Sequence, residues 1–307
     1  MIGGRNLKNN REGEGRGPSP YKFGTTISIT GKDGAWMMNE GPANTAKSAR
    51  EEAKEKLALA CRILGSEGHD DLDLGHVSVR DPNNPDRMII KGRGLCLSEI
   101  HEEDLVTIDF DYRKIEGKRN PHGEMPIHVE IYKIRKDVNC IVHTHPMYAT
   151  AFSATEQILR PVNNEGVLFA NPLPYYDLLT DLIIEPQQGA SLAQKLGSEK
   201  ASIMKNHGIV VVGETIEQAT GRAYLLEKTI KTLCIAKVFG EPKWTDDEEA
   251  ATKANHIFTE TRIQAIWDTL VRRLEHREMP LRILEALLHK MEMSLPGIGK
   301  QRGGRSI

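Results

Sequence analysis

The sequence has no apolar run approaching the roughly 20 residues that a helix needs to cross a bilayer, which excludes a helical membrane span in its 307 residues. Neither sign of charge dominates: 41 Lys and Arg stand against 43 Asp and Glu, a formal net charge of −2. That balance gives no electrostatic grip on nucleic acid or on an anionic membrane. The opening residues, Met1 to Asn6, lead into a polar stretch without the apolar h-region of a secretory signal. Cysteine is sparse. Cys61, Cys96, Cys140 and Cys234 are scattered singly, with no CxxC spacing, each in or beside an apolar segment. They read as small buried hydrophobes in a reducing compartment rather than as disulfides or a cysteine metal site. No internal repeat is present. These absences predict a cytoplasmic globular protein with neither nucleic acid nor membrane as a partner.

What is present is ordinary for a folded chain: 39% apolar and 27% charged residues, enough for one large domain or a domain with appendages. Residues 1–45 are expected to form a flexible arm, because the first twenty are rich in Gly, Asn, Arg and Glu and bury too little to offset ordering entropy. Within the arm, "YKFGTTISITG" alternates weakly and is a candidate short strand on the body or on a partner subunit.

The body is expected over 46–240. Ala49, Ala53, Leu57, Ala60, Cys61 and Leu64 recur at helical spacing, with Gly65 as a stop. Strand-like runs follow, "GHVSVRDP", "DRMIIKGRG", "LVTIDFD" and "RKIEG", punctuated by Gly, Pro and Asn. "MPIHVEIYKIRKD" reads as a helix with proline near its start. "SEKASIMKNHGIVVVG" reads as two strands around a turn at Asn206-His207-Gly208, and Thr215 with Gln218 opens a long helix. Residues 241–307 are expected as a helical extension, with Ile257, Ile263, Ile266, Trp267, Leu270 and Leu274 as a packing stripe and a frayed "GIGKQRGGRSI" tail. The pattern predicts an α/β fold, a mixed sheet covered by helices on both sides.

Chemistry concentrates in "DVNCIVHTHPMYATAF". Asn139 to Val142 reads as a buried strand, and strand side chains alternate faces with period two. His143 and His145 therefore point the same way and Thr144 points opposite, before Pro146 ends the strand. Two imidazoles so placed either chelate a metal or are satisfied polar groups. His207, in a turn that Gly208 lets pass close by, is either a third ligand from a neighbouring strand end or a simple turn residue.

"HGEMPIHVEIYKIRKDVNCIVHTHP" followed by "NHGIVVVG" and a helix resembles the class II aldolase/adducin family over about residues 50–240. The resemblance rests on an ordered set: "GHVSVRDP", the Glu124 segment, His-Thr-His beginning at 143, and Asn-His-Gly around 207. It implies an α/β/α sandwich with a mostly antiparallel sheet. It implies His143, His145 and His207 as ligands of a divalent metal, zinc, manganese or iron, and Glu124 as a metal-proximal acid/base. It also implies a homo-oligomer, commonly a tetramer, with sites at subunit interfaces.

Departures from the sugar-phosphate members narrow the reading. Those members cradle phosphate with small hydroxyl and amide donors. This chain carries His76 in "GHVSVR", Lys91-Gly92-Arg93-Gly94 in the loop and His122-Gly123 before Glu124. Arg93 suits bidentate pairing with a carboxylate, and His76 and His122 suit hydrogen bonding or proton donation, beside plain structural roles. The aldolases' tyrosine is absent where Asn163, Asn164 and Glu165 stand. Tyr175, in the Pro-bounded "NPLPYYDLL", is a candidate substrate contact or simply a packing residue.

The pattern looks more like the family's decarboxylase-like branch, which acts on hydroxylated aromatic or heteroaromatic carboxylates. The expected function is a metal-dependent carbon–carbon lyase. It would decarboxylate a small hydroxyaromatic or 2-oxo/2-hydroxy carboxylate through a metal-stabilised enolate, with Glu124 or His122 returning a proton. Alternatives are an aldolase for an unphosphorylated hydroxy-oxo acid and a non-haem iron(II) oxygenase. A non-enzymatic adducin-like module fits least, because it needs no converging histidines.

Overall fold

The computed structural model describes residues 47–294. The arm at 1–45, its candidate strand and the tail from 297 lie outside these residues. The first helix, α1 (Ala49–Leu64), starts at a capping box: Ser48 Oγ accepts from Glu51 N, and the Glu51 carboxylate accepts from Ser48 N. Its buried face is Ala53, Leu57, Ala60, Cys61 and Leu64, as the spacing predicts. Gly65 ends the helix without turning left-handed. Its φ is −54°, and a Cβ there would meet Ser98 N at 2.7 Å, so this glycine serves a close approach. A wider turn continues to His69 and contains Gly68 at φ +94°.

The strands are β1 (His76–Arg80), β2 (Arg87–Lys91), β3 (Leu105–Asp109), β4 (Lys114–Glu116), β5 (Cys140–Thr144), β6 (Tyr175–Tyr176), β7 (Ala201–Met204) and β8 (Gly208–Gly213). Among the described residues they form one sheet in the order β4-β3-β2-β1-β5-β8-β7-β6, antiparallel throughout except for the β6–β7 pair. The helices between and after them are α2 (Met125–Ile134), α3 (Met147–Ser153), α4 (Pro186–Leu196), α5 (Ile216–Phe239), α6 (Asp247–Ile257) and α7 (Glu260–Ser294).

Period-two alternation sorts the strand side chains into two cores. Val77, Val79, Cys140, Val142, Ile209 and Val211 join α1 and α5 on one face. Ile141, Val210, Val212, Met88 and Ile90 join Ile127, Ile131 and Leu192 of α2 and α4 on the other. This is the α/β sandwich with a mixed, mostly antiparallel sheet.

Trp267, Leu270 and Leu274 of α7 are buried in the same core as α1 and α5, so the C-terminal stripe packs on the body. Among the described residues the expected helical extension is two helices, α6 and α7. Asp246 caps α6 by accepting from Glu249 N, and the helix ends at Phe258. No described helix is long and apolar enough to cross a membrane.

The topology positions the site. β1 and β5 are central neighbours whose register pairs His76 with His143. Both residues face the α2 side of the sheet, at the same end where the β7–β8 turn delivers His207.

Candidate metal centre

His143 is fully buried, and its Nδ1 lies 3.0 Å from the Ile209 carbonyl. A carbonyl only accepts, so Nδ1 carries the proton and Nε2 presents a lone pair. His145 repeats the arrangement, with Nδ1 3.0 Å from Asp71 Oδ2. The two Nε2 atoms face each other at 3.1 Å. Two lone pairs at that distance repel unless a cation or a proton lies between them.

Glu124 and His207 converge on the same point. The His207 Nε2 atom is 3.7 Å from Glu124 Oε1, and His143 Nε2 is 3.7 Å from Glu124 Oε2. One ligand-type atom from each of Glu124, His143, His145 and His207 lies within 4.8 Å of the other three. Three imidazoles and a carboxylate are a donor set that suits zinc, manganese or iron(II). The residues therefore fit a divalent cation.

Local sequence explains each placement. Glu124 is the N-cap residue of α2, with Pro126 at the start of the helix, and its Oε1 accepts from Ile183 N at 3.0 Å. That hydrogen bond and the helix N-terminus favour the carboxylate form. Burial works to raise the Glu124 carboxyl, but the flanking His143 and His76 outweigh it and hold the group well below the usual carboxylate range. His207 follows Asn206, which turns left-handed at φ +53°. Gly208 has no room for a side chain: a Cβ would sit 2.5 Å from Thr144 O and 2.7 Å from His145 Cδ2. Burial pushes His145 down to about 4 and His207 down to about 3, so both imidazoles remain neutral and ligand-ready at neutral pH.

His76 and His122 form the inner wall. The His76 Nε2 atom is 3.7 Å from Glu124 Oε2, and the His122 ring lies 4.2 Å from that of His76, centroid to centroid. His122 Nδ1 accepts from Glu124 N at 3.4 Å, and burial pushes the imidazole down to about 4, with Lys91 and Arg93 adding to the shift. Arg93 itself is exposed beside this wall. Tyr175 stands apart: its hydroxyl donates to the Ser153 carbonyl at 2.7 Å, and it lines a separate groove of about 450 Å³ with Phe152, Leu159 and Pro172.

Several contributors escaped the sequence reading. Asp71, which orients His145, lies in an irregular segment with no signal. Fully buried Lys91 donates to the Asp73 carbonyl at 2.7 Å. Fully buried His128 touches His76 and was detectable: it follows Glu124 by four residues, one helical turn. Thr144 points to the opposite face as predicted, where it meets His69 Nδ1 at 2.9 Å.

Residues 55–234 match the class II aldolase and adducin N-terminal domain family. The chain belongs to this family. Its relatives include decarboxylase NovR of Streptomyces niveus, 32% identical over 193 residues covering 62% of this chain and 72% of that protein. They also include the 4-hydroxy-3-prenylphenylpyruvate oxygenase/4-hydroxy-3-prenylbenzoate synthase of Streptomyces roseochromogenus, 31% identical over 61% of this chain and 69% of that one. Among solved structures, L-fuculose 1-phosphate aldolase from Glaciozyma antarctica aligns with a TM-score of 0.68. It is 28% identical, covering 78% of this chain and 96% of the aldolase. Class II aldolase membership supports lyase chemistry with a divalent metal, which the histidine–glutamate cluster suits.

Proposed function

We propose that this class II aldolase-family protein is a divalent-metal-dependent carbon–carbon lyase that decarboxylates a hydroxylated aromatic or 2-oxo/2-hydroxy carboxylate. The carrying observation is the pair of facing lone pairs on His143 and His145, with Glu124 and His207 closing on the same point. His143, His145 and His207 are the ligands, and a bound cation would supply Lewis-acid polarisation of adjacent substrate oxygens.

The chain's own residues do the rest. Arg93, with Lys91 behind it, gives the His122 wall a cationic flank suited to a substrate carboxylate. Imidazole and guanidinium stand here where phosphate-using relatives carry small donors, which favours a carboxylate over a sugar phosphate. As the carbon–carbon bond to the carboxylate breaks, its electron pair stays on the substrate as an enolate. Carbon dioxide leaves, and a proton taken up from solvent reaches carbon by way of Glu124 or His122. His76 hydrogen-bonds the substrate from the same wall, while Tyr175, its hydroxyl engaged by the Ser153 carbonyl in a separate groove, stays outside the proposed reaction. The resemblance to NovR supports the decarboxylase reading.

The unit over 46–240 would carry the chemistry, with 241–307 as its extension. Around the site an open cleft of about 860 Å³ exposes Met147 and Leu182 beside His145 and His207, which suits burial against a second copy in a homotetramer.

The test loads the protein separately with manganese, zinc and iron(II) and supplies hydroxyaryl and 2-oxo carboxylates with and without oxygen, reading products by mass spectrometry. Oxygen-independent release of carbon dioxide is expected. Products that need both oxygen and iron would move the protein to the oxygenase reading, which the second Streptomyces relative favours. An aldehyde product would make it an aldolase.

A further inference from the structure

Behind His76 runs a line of fully buried polar groups, His128, Ser78 and Tyr132, that the reaction above does not use. His76 Nδ1 lies 2.6 Å from His128 Nε2, His128 Nδ1 lies 2.7 Å from Ser78 Oγ, and Ser78 Oγ lies 2.8 Å from the Tyr132 hydroxyl. All four residues are shielded from solvent. His76 and Ser78 share the inward face of β1, and His128 and Tyr132 share one face of α2 at i, i+4 spacing.

Each link has one donor and one acceptor, and Ser78 accepting at both of its links would strand its own buried O–H, so two directions keep that proton paired. Either protons point toward Glu124, with Tyr132 donating to Ser78, Ser78 to His128, and His128 Nε2–H to His76 Nδ1. Or every bond reverses and Tyr132 donates outward to the Asn139 carbonyl.

Both ends select the first direction. At the far end the Asn139 carbonyl already accepts from Arg80 N at 2.8 Å and is 3.4 Å from the Tyr132 hydroxyl, whereas Ser78 is 2.8 Å away. At the near end His76 Nε2 has no hydrogen-bond partner and faces Glu124 Oε2 at 3.7 Å. In the reversed direction a nitrogen lone pair would confront a carboxylate inside a sealed wall. In the forward direction an N–H faces it.

We propose that His128, Ser78 and Tyr132 are positioning residues that hold His76 in its Nε2–H tautomer, so that a neutral donor faces Glu124 beside the metal ligand His143. One consequence separates two groups of atoms that geometry alone does not. His76, His122 and Glu124 also offer atoms within 4.8 Å of one another. A protonated Nε2 cannot ligate, so this second cluster is a hydrogen-bonding wall and not a second metal site.

The assignment of the tautomer rests on hydrogen-bond geometry, and only its catalytic use rests on the function proposed above. Neutron diffraction from deuterium-exchanged crystals of the full chain tests the first without any substrate. Deuterium is expected on His76 Nε2 and on His128 Nε2, and deuterium on His76 Nδ1 would overturn the proposal. Once a substrate is known, Ser78→Ala is expected to lower kcat about 10- to 100-fold, the size usual for partners that orient a site imidazole. KM and bound zinc should stay unchanged, and Ser78→Thr should recover kcat. An unchanged kcat in Ser78→Ala, or loss of zinc with it, would sink the positioning role.

Discussion

Two sets of histidines sit side by side, and they differ in what their Nδ1 atoms touch. His143 and His145 lean on groups that only accept, the Ile209 carbonyl and the Asp71 carboxylate. His76 leans on His128, which can either donate or accept, and His128 on Ser78, which can do both. The first pair therefore has its tautomers fixed outright, with lone pairs turned inward. The second is fixed only by the sense of a whole line of hydrogen bonds. An imidazole meant for a metal needs the first kind of support. An imidazole meant to donate from Nε2 needs a donor facing its Nδ1, which His128 supplies in the forward direction.

The largest effect should come from removing a lone pair from the first set. His143→Ala is expected to abolish stoichiometric metal, read by elemental analysis of the purified protein, and turnover with it. Full metal occupancy in that variant would end the ligand assignment. Glu124→Gln should separate the sets differently. The amide keeps the size of the side chain, so metal is expected to stay while turnover falls roughly 10²- to 10⁴-fold, the range of a lost acid/base. Unchanged turnover would remove Glu124 from the mechanism.

The difference between the two sets bears on how much could be read beforehand. The strands of the body and the helices α1, α2 and α5 follow from periodicity and from Gly and Pro punctuation, because local propensity and burial agree there. That His143 and His145 share a face followed from strand alternation alone. Their convergence with His207 and Glu124 depends on long-range register between β1, β5 and β8, which one sequence does not contain; resemblance to a family supplied it. Asp71 and the Ile183 amide come from irregular segments whose path tertiary packing sets, and no residue pattern pointed to them. His128 is a different case. Its spacing from Glu124 was visible, yet a lone buried histidine carries no meaning until its partners are known.

A smaller effect tests whether orientation matters as much as ligation. Asp71→Asn preserves shape but replaces a pure acceptor with a group that can present either its carbonyl or its NH₂ to His145 Nδ1. Metal affinity, measured by zinc titration against a competing chelator, is expected to fall about 10- to 100-fold. If affinity is unchanged, His145 needs no carboxylate to fix its tautomer, and the contrast between anchored and reversible histidines loses one of its two supports.

The smallest effect per residue is on stability, and it concerns imidazoles held neutral by burial on both faces of the sheet. Burial pushes His69 and His207 down to about 3 and His122 down to about 4 in the folded protein. In the unfolded chain each titrates near 6.5. Between those values the unfolded state binds more protons, so stability is fully present above pH 6.5 and is lost as pH falls toward the folded values. From pH 7 to pH 6 each histidine should cost about 0.7 kcal/mol, from the 1.36 kcal/mol per pK unit that links the two states. Urea unfolding of metal-free protein at the two pH values measures this. His69 lies on the far face, against Thr144, so His69→Phe should reduce the pH dependence without touching bound metal. A pH profile that stays flat over this interval would mean that these imidazoles bind protons in the folded protein as they do in the unfolded chain, so burial would not be holding them neutral.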